Sequence, residues 1–350
     1  MNARAAAEVK SEVARTGSGL LLMLATPLRG RDVTMRYRQL GTSGLTVSVV
    51  GLGCNNFGTR CDLEQTRAVV GAAMEQGVTL LDTADSYGGG GDSERFLGQI
   101  LKAHRDQVVL ATKFGSLLGG LEDEARGSRR YIRLAVEASL RRLQTDYIDL
   151  YQHHRPDPKT PLEETVAALH ELVTEGKVRY AGSSNYAGFR IADADWIARV
   201  EHRTRMVSAQ NHYSLLERGV EQEVIPACFE HGVGMLPYFP LASGLLTGKY
   251  KRDGAAPEGG GRLVGRTDWL TAEAFDKVEA LEKYAAERDL GLLDVAVGGL
   301  AAQPAVASVI AGATRPEQVL ANVRAADWQP GPDDLAALDA IVPRGSSTRS

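Results

Sequence analysis

The stretch VTLLDTADSYG, Val78 to Gly88, runs from a compact apolar segment straight into a cluster of polar residues. Two later stretches share that grammar: VVLATKFG, Val108 to Gly115, and DYIDLYQHH, Asp146 to His154. Each reads as a buried strand with a polar side chain at its carboxyl end. In a parallel sheet or barrel, ligands bind at that end, because the strands hold side chains rigidly at the mouth. The residues so placed are Asp82, Tyr87, Lys113 and His154.

Working outward, the same pattern recurs. Strand-like runs are expected at Val49 to Gly53, Thr79 to Thr83, Val108 to Lys113, Ile148 to His153, Val178 to Ser183, Met206 to Gln210, Gly234 to Tyr238 and Ala307 to Ala311. Helical spacing, with apolar residues three and four apart, falls between them at Leu63 to Gln76, Arg129 to Leu143, Leu162 to Glu175 and Phe275 to Arg288. Alternating strands and helices argue for an α/β fold with a parallel sheet. Eight strands favour closure into a barrel over an open doubly wound sheet, and no GxGxxG opens a helix after the first strand. Gly88 to Gly91 therefore reads as a loop. Upstream, Tyr37 to Leu40 and Thr46 to Val49 flank a Gly41 to Gly44 turn, as two short hairpin strands would.

The chain has 350 residues, 43% of them hydrophobic, which is ample for one barrel of about 250 residues or more. A formal net charge of -4 leaves no basic excess for a nucleic-acid backbone. Three cysteines, Cys54, Cys61 and Cys228, without CxxC spacing fit reduced thiols in a cytoplasmic protein. Residues 1–34 carry Lys10 and Arg15 before a short apolar stretch, Leu20 to Ala25. That stretch is below the ~18 residues that cross a bilayer, so the segment reads as a poorly ordered extension and no membrane partner is expected. Residues 35–342 form the expected domain and 343–350 a flexible tail. Asp253 to Arg266, rich in glycine, reads as a loop.

The four polar residues make a proton-donating set. A phenol near a lysine ammonium has its pKa drawn down from about 10, a carboxylate orients the lysine, and an imidazole stands beside them. His153 and His154, adjacent on one strand, point to opposite faces, so a shared metal is not expected; His153 belongs behind the barrel wall. No HxH, HExxH or cysteine-rich set accompanies them.

Together with GLGCNNFG (Gly51 to Gly58), GKVRYAGSSN (Gly176 to Asn185), AQNHYSLLER (Ala209 to Arg218), YFPLASGLLTGKY (Tyr238 to Tyr250) and IAGATRPEQVLAN (Ile310 to Asn322), these motifs resemble the aldo-keto reductase family. The likeness runs from about Tyr37 to Asn322, and Met35 resembles the usual start. It implies a (β/α)8 TIM barrel whose floor is closed by the N-terminal hairpin, an NADPH or NADP cofactor (NADH being the alternative), and reduction of an aldehyde or ketone. It implies Tyr87 as general acid, Lys113 and Asp82 as its supports, and His154 as the group orienting the substrate oxygen.

For the cofactor, the resemblance implies that Ser184, Asn185 and Gln210 bond the nicotinamide amide and Tyr238 stacks on the ring. Leu241, Ser243, Gly244, Leu246 and Lys249 match the pyrophosphate segment. Gly312, Thr314, Arg315, Gln318 and Asn322 match the adenosine-phosphate segment, with Arg315 on a 2′-phosphate. Gly53, Cys54, Asn55, Asp82, Phe239, Pro240 and Arg262 complete the expected contacts. Phe239 stands where the family often has serine, and Ala321 where it often has glutamate. Substrate selection is expected from Asn55, Phe57, Tyr186 and the loops Ser116 to Gly127 and Asp253 to Arg266. Two alternatives remain at this point: a Schiff-base lyase or aldolase using Lys113, and a cofactor-binding regulatory subunit. The expected partner is a small molecule; the oligomeric state is left open.

Overall fold

The computed structural model describes residues 35–116, 124–252, 254, 261–266 and 268–347; the expectations for residues 1–34 and 348–350, and those for residues 117–123, 253 and 255–260 of the two substrate-selecting loops, lie outside them. Two strands, β1 (Tyr37–Gln39) and β2 (Thr46–Ser48), pair antiparallel as the expected hairpin. Eight more follow: β3 (Val50–Gly53), β4 (Leu80–Asp82), β5 (Val109–Phe114), β6 (Ile148–His153), β7 (Val178–Ser184), β8 (Met206–Gln210), β9 (Gly234–Met235) and β10 (Val309–Gly312). They form one parallel sheet in the order β10-β3-β4-β5-β6-β7-β8-β9. The two ends of that order then meet. Met235 N donates to Ala305 O at 2.7 Å, Ala307 N to Met235 O at 2.9 Å and Ile310 N to Pro237 O at 3.1 Å. The sheet thus curls into the expected (β/α)8 barrel, whose continuous apolar strands are explained by burial on both faces.

β9 is shorter than the Gly234 to Tyr238 run suggests, because Pro237 has no N–H to continue a ladder. The hairpin supplies the floor: Leu40 and Val47 are fully buried in one apolar cluster with Leu80, Ala111, Leu150, Leu236, Ala307 and Ile310.

Helices start where side chains satisfy their free N–H groups. Leu63–Glu75 opens with a reciprocal capping box, Gln65 N to Asp62 Oδ1 at 2.8 Å and Asp62 N to Gln65 Oε1 at 3.1 Å. Arg129–Leu143 is capped by Ser128. The expected helix at Phe275 begins three residues earlier, as Ala272–Ala286, because the Thr271 hydroxyl accepts from Ala274 N at 3.1 Å. Leu162–Thr174 appears as expected, and the other outer helices include Asp92–Ile100, Gly188–Val200 and Pro316–Ala325. Gly88 to Gly91 all take positive φ, as a turn requires. A Cβ on Gly88 would lie 2.8 Å from Phe57 O and from Ser93 N, so only glycine fits.

Candidate active site

A cavity of about 650 Å³ opens at the carboxyl ends of the barrel strands. All the expected catalytic and cofactor-contacting residues line it except Lys113, Leu246 and Arg315. Lys113 and Leu246 are fully buried beneath its wall, and Arg315 is exposed at the start of helix Pro316–Ala325.

Lys113 is the last residue but one of a six-residue strand, and its ammonium has three acceptors. Nζ lies 2.6 Å from Asp82 Oδ2, 2.9 Å from Thr83 O and 3.3 Å from Tyr87 Oη. Its three N–H bonds are thereby committed. The Tyr87 oxygen accepts one of them, so its own proton is free to turn elsewhere. Burial alone would lower Lys113, but the Asp82 carboxylate and Tyr87 outweigh it and hold the lysine above its ordinary value. Asp82 is itself fixed, its Oδ1 accepting from Gln210 Nε2 at 2.8 Å and Gln152 Nε2 at 3.3 Å.

One expectation needs correction here. Tyr87 sits above the ordinary phenol value: burial raises it, and Lys113 pulls it down only in part because Asp82 opposes that pull. The phenol is therefore held protonated rather than poised to ionise.

His154 meets Tyr87 edge-on, ring centres 5.9 Å apart, and its Nδ1 lies 2.9 Å from Ser116 Oγ. Burial, then the charges of Lys113 and Arg155, hold it down to about 3, so the imidazole is neutral. His153 faces away, as expected, stacked on Phe114 at 4.8 Å and bonded to Tyr186 Oη at 2.8 Å. Tyr186 and Phe57 are fully buried and do not reach the cavity, which corrects their expected role in substrate selection. Asn55 does line it. Among the described residues, no group of three or more His, Cys, Asp or Glu side chains comes together around a metal position.

Around the rim, Tyr238 Oη donates to Asn185 Oδ1 at 2.8 Å, and Asn185 Nδ2 donates to His154 O at 2.9 Å. Ser184 Oγ donates to Gln210 O at 2.8 Å. The amide of Gln210 thus serves Asp82 here. At the other end, Arg262 donates to Asn55 Oδ1 and Asn56 Oδ1 at 2.8 and 2.7 Å and lies over the Phe239 ring at 5.5 Å. Burial, then Arg60, Arg262 and Arg315, hold Lys249 below its ordinary value, a sign that positive charge is concentrated there. Ser243 and Gly244 take positive φ in the turn beside it, and a Cβ on Gly244 would come within 2.8 Å of Lys249 Cε. Concentrated cations, aromatic rings and a small-residue turn suit a phosphate-bearing dinucleotide.

Sequence reading missed Ser116 as the partner of His154 and Gln152 as a second support of Asp82. Neither carries a motif signal; both are defined by neighbours on other strands. Asn56 and Arg60 were also missed, although they lie within or just after the quoted GLGCNNFG stretch.

Comparison with known proteins agrees. The model of the Aldo/keto reductase family matches residues 49–343. The chain is 34% identical to a probable voltage-gated potassium channel subunit beta of Oryza sativa subsp. japonica, covering 88% of this chain and 97% of that one. It is 36% identical to the uncharacterized oxidoreductase YrpG of Bacillus subtilis (strain 168), covering 88% and 96%. With the L-glyceraldehyde 3-phosphate reductase of Escherichia coli (strain K12) it shares 34% identity over 87% and 91%. A family match over most of the length, on a barrel with this cavity, means that the chain belongs to the aldo/keto reductase family and is an NAD(P)H-dependent oxidoreductase of carbonyl compounds.

Proposed function

We propose that this protein reduces an aldehyde or ketone to the alcohol with NADPH, Tyr87 supplying the proton. The observation that carries the reading is the chain from Tyr87 Oη to Lys113 Nζ at 3.3 Å and on to Asp82 Oδ2 at 2.6 Å, beneath the cavity. A reduced nicotinamide supplies hydride when bound. The carbonyl oxygen gains negative charge as hydride arrives, and Tyr87 protonates it. Lys113 then stabilises the phenolate left behind, at an atom it already touches. In the tautomer where Ser116 donates to Nδ1, the ring proton of His154 lies on Nε2 and serves as a second donor to the same oxygen. Preference for NADPH over NADH rests on the cations Arg60, Lys249, Arg262 and Arg315, which favour the ligand with the additional phosphate.

The lyase reading loses support, because a Schiff base needs a neutral, reachable amine and Lys113 is a fully buried ammonium with three acceptors. The regulatory-subunit reading draws on the potassium-channel relatives alone. Loss of NADPH absorbance across a panel of aldehydes, ketones and sugars, run beside NADH, decides between them. The two Escherichia coli relatives named L-glyceraldehyde 3-phosphate reductases put that aldehyde on the panel. Tight cofactor retention without turnover of any member favours the regulatory reading.

A further inference from the structure

The positive charges of the cavity fall into two groups. Arg60, Lys249 and Arg262 line one end, with Arg315 near enough to act on Lys249. The phosphates of a dinucleotide would meet those charges. Arg155 stands apart from them. It lines the cavity immediately after His154 in the chain, and its charge acts on that imidazole rather than on Lys249.

Arg155 is exposed, and among the described residues no carboxylate pairs with it. The acid two residues on, Asp157, is fully engaged. Its Oδ2 accepts from Gly127 N at 2.7 Å and Thr160 Oγ1 at 2.6 Å, and its Oδ1 from Lys159 N at 2.9 Å. Among the described residues that line the cavity, the only carboxylate is Asp82, which is held by Lys113 and Gln210. A guanidinium thus remains at the reacting end of the site with no carboxylate to answer it among the described residues. Its planar fork of donors matches a carboxylate or a phosphate.

We propose that Arg155 binds an anionic substituent of the substrate, so that the preferred carbonyl compounds of this enzyme carry a carboxylate or phosphate a few bonds from the reacting carbon. The inference rests on the reductase reading above and narrows it to a substrate class. Arg155 acts by holding the anion while His154 and Tyr87 address the carbonyl oxygen; it takes no part in proton transfer.

The test compares kcat/KM on two matched pairs, glyceraldehyde 3-phosphate against glyceraldehyde and 4-oxobutanoate against butanal, in the wild type, Arg155→Gln and Arg155→Lys. The wild type should favour the anionic member of at least one pair by about tenfold to a hundredfold, the range for a hydrogen-bonded charge. Which pair shows the preference identifies phosphate or carboxylate. Arg155→Gln should remove most of the preference by raising KM for the anionic aldehyde, with kcat changed far less. Arg155→Lys should restore part of it, and added salt should weaken it in the wild type. Equal turnover within both pairs, or a preference that survives Arg155→Gln, overturns the proposal while leaving the reductase reading intact. No turnover of any of the four aldehydes with either nicotinamide defeats both.

Discussion

At the scale of single residues, the site depends on where one ammonium spends its three hydrogen bonds. Because Lys113 donates to Asp82, Thr83 and Tyr87, the tyrosine oxygen is an acceptor toward the lysine and its own proton is left free of that contact. In the proposed reaction, Tyr87→Phe should lower kcat about 10²- to 10⁴-fold, the usual worth of a placed general acid. Its cofactor dissociation constant, followed by fluorescence titration, should stay within about twofold. Full turnover in this variant would end the mechanism. The pair beneath it is buried, so removing one partner strands a charge. Asp82→Asn should cost about 3–5 kcal/mol in urea unfolding, and Asp82→Asn with Lys113→Met should cost less than the two single changes together.

At the scale of elements, helix Asp92–Ile100 links the outer wall to the site. Glu94 is fully buried; its Oε1 accepts from Thr112 Oγ1 at 2.6 Å, and its Oε2 from Arg142 Nε at 2.6 Å. Ser93 Oγ lies 2.8 Å from Thr83 Oγ1, next to Asp82. The helix can approach Arg129–Leu143 this closely because Gly98 faces it. A Cβ there would lie 2.5 Å from Arg142 O and 2.8 Å from Leu143 O. Gly98→Ala should therefore cost about 1–3 kcal/mol, the range for overpacking, read as a lower urea midpoint. At the opposite pole, Leu40 plugs the floor far from the chemistry. Leu40→Ala should cost about 2–5 kcal/mol while kcat/KM at 25 °C stays near the wild-type value.

At the scale of the molecule, three buried groups contribute to the acid response between roughly pH 4 and 6. Burial holds His153 and His154 down to about 3, against an ordinary 6.5. As pH falls below 6.5, the unfolded chain takes up two protons that the folded one refuses, so stability falls with pH. Asp85 works the other way. Burial, then Glu94, raises it to about 7 from 3.8, so the folded state keeps a proton that the unfolded chain releases. Between roughly pH 4 and 6, two groups oppose one, and these three make stability rise with pH by at most about 1.4 kcal/mol per unit. Asp85→Asn removes the opposing group and should steepen the slope toward about 2.7 kcal/mol per unit. Urea unfolding at pH 4.5, 5.0 and 5.5 measures it; an unchanged slope would mean that Asp85 is ionised in the folded protein.

What the sequence determined by itself was the alternation of elements and the polar residue at the end of each strand. Both follow from local rules: a strand buried on two faces must be apolar throughout, and only its end is free to carry charge. Val78 to Gly88 alone announced Asp82 and Tyr87 in that way. The tertiary structure decided what no local rule contains. Barrel closure through Met235 and residues 305–307, the support of Asp82 by Gln152 and Gln210, and the contact of Ser116 with His154 join residues on separate strands. The direction of the Tyr87 shift was decided there too, because it depends on how far burial outweighs one ammonium already matched by a carboxylate.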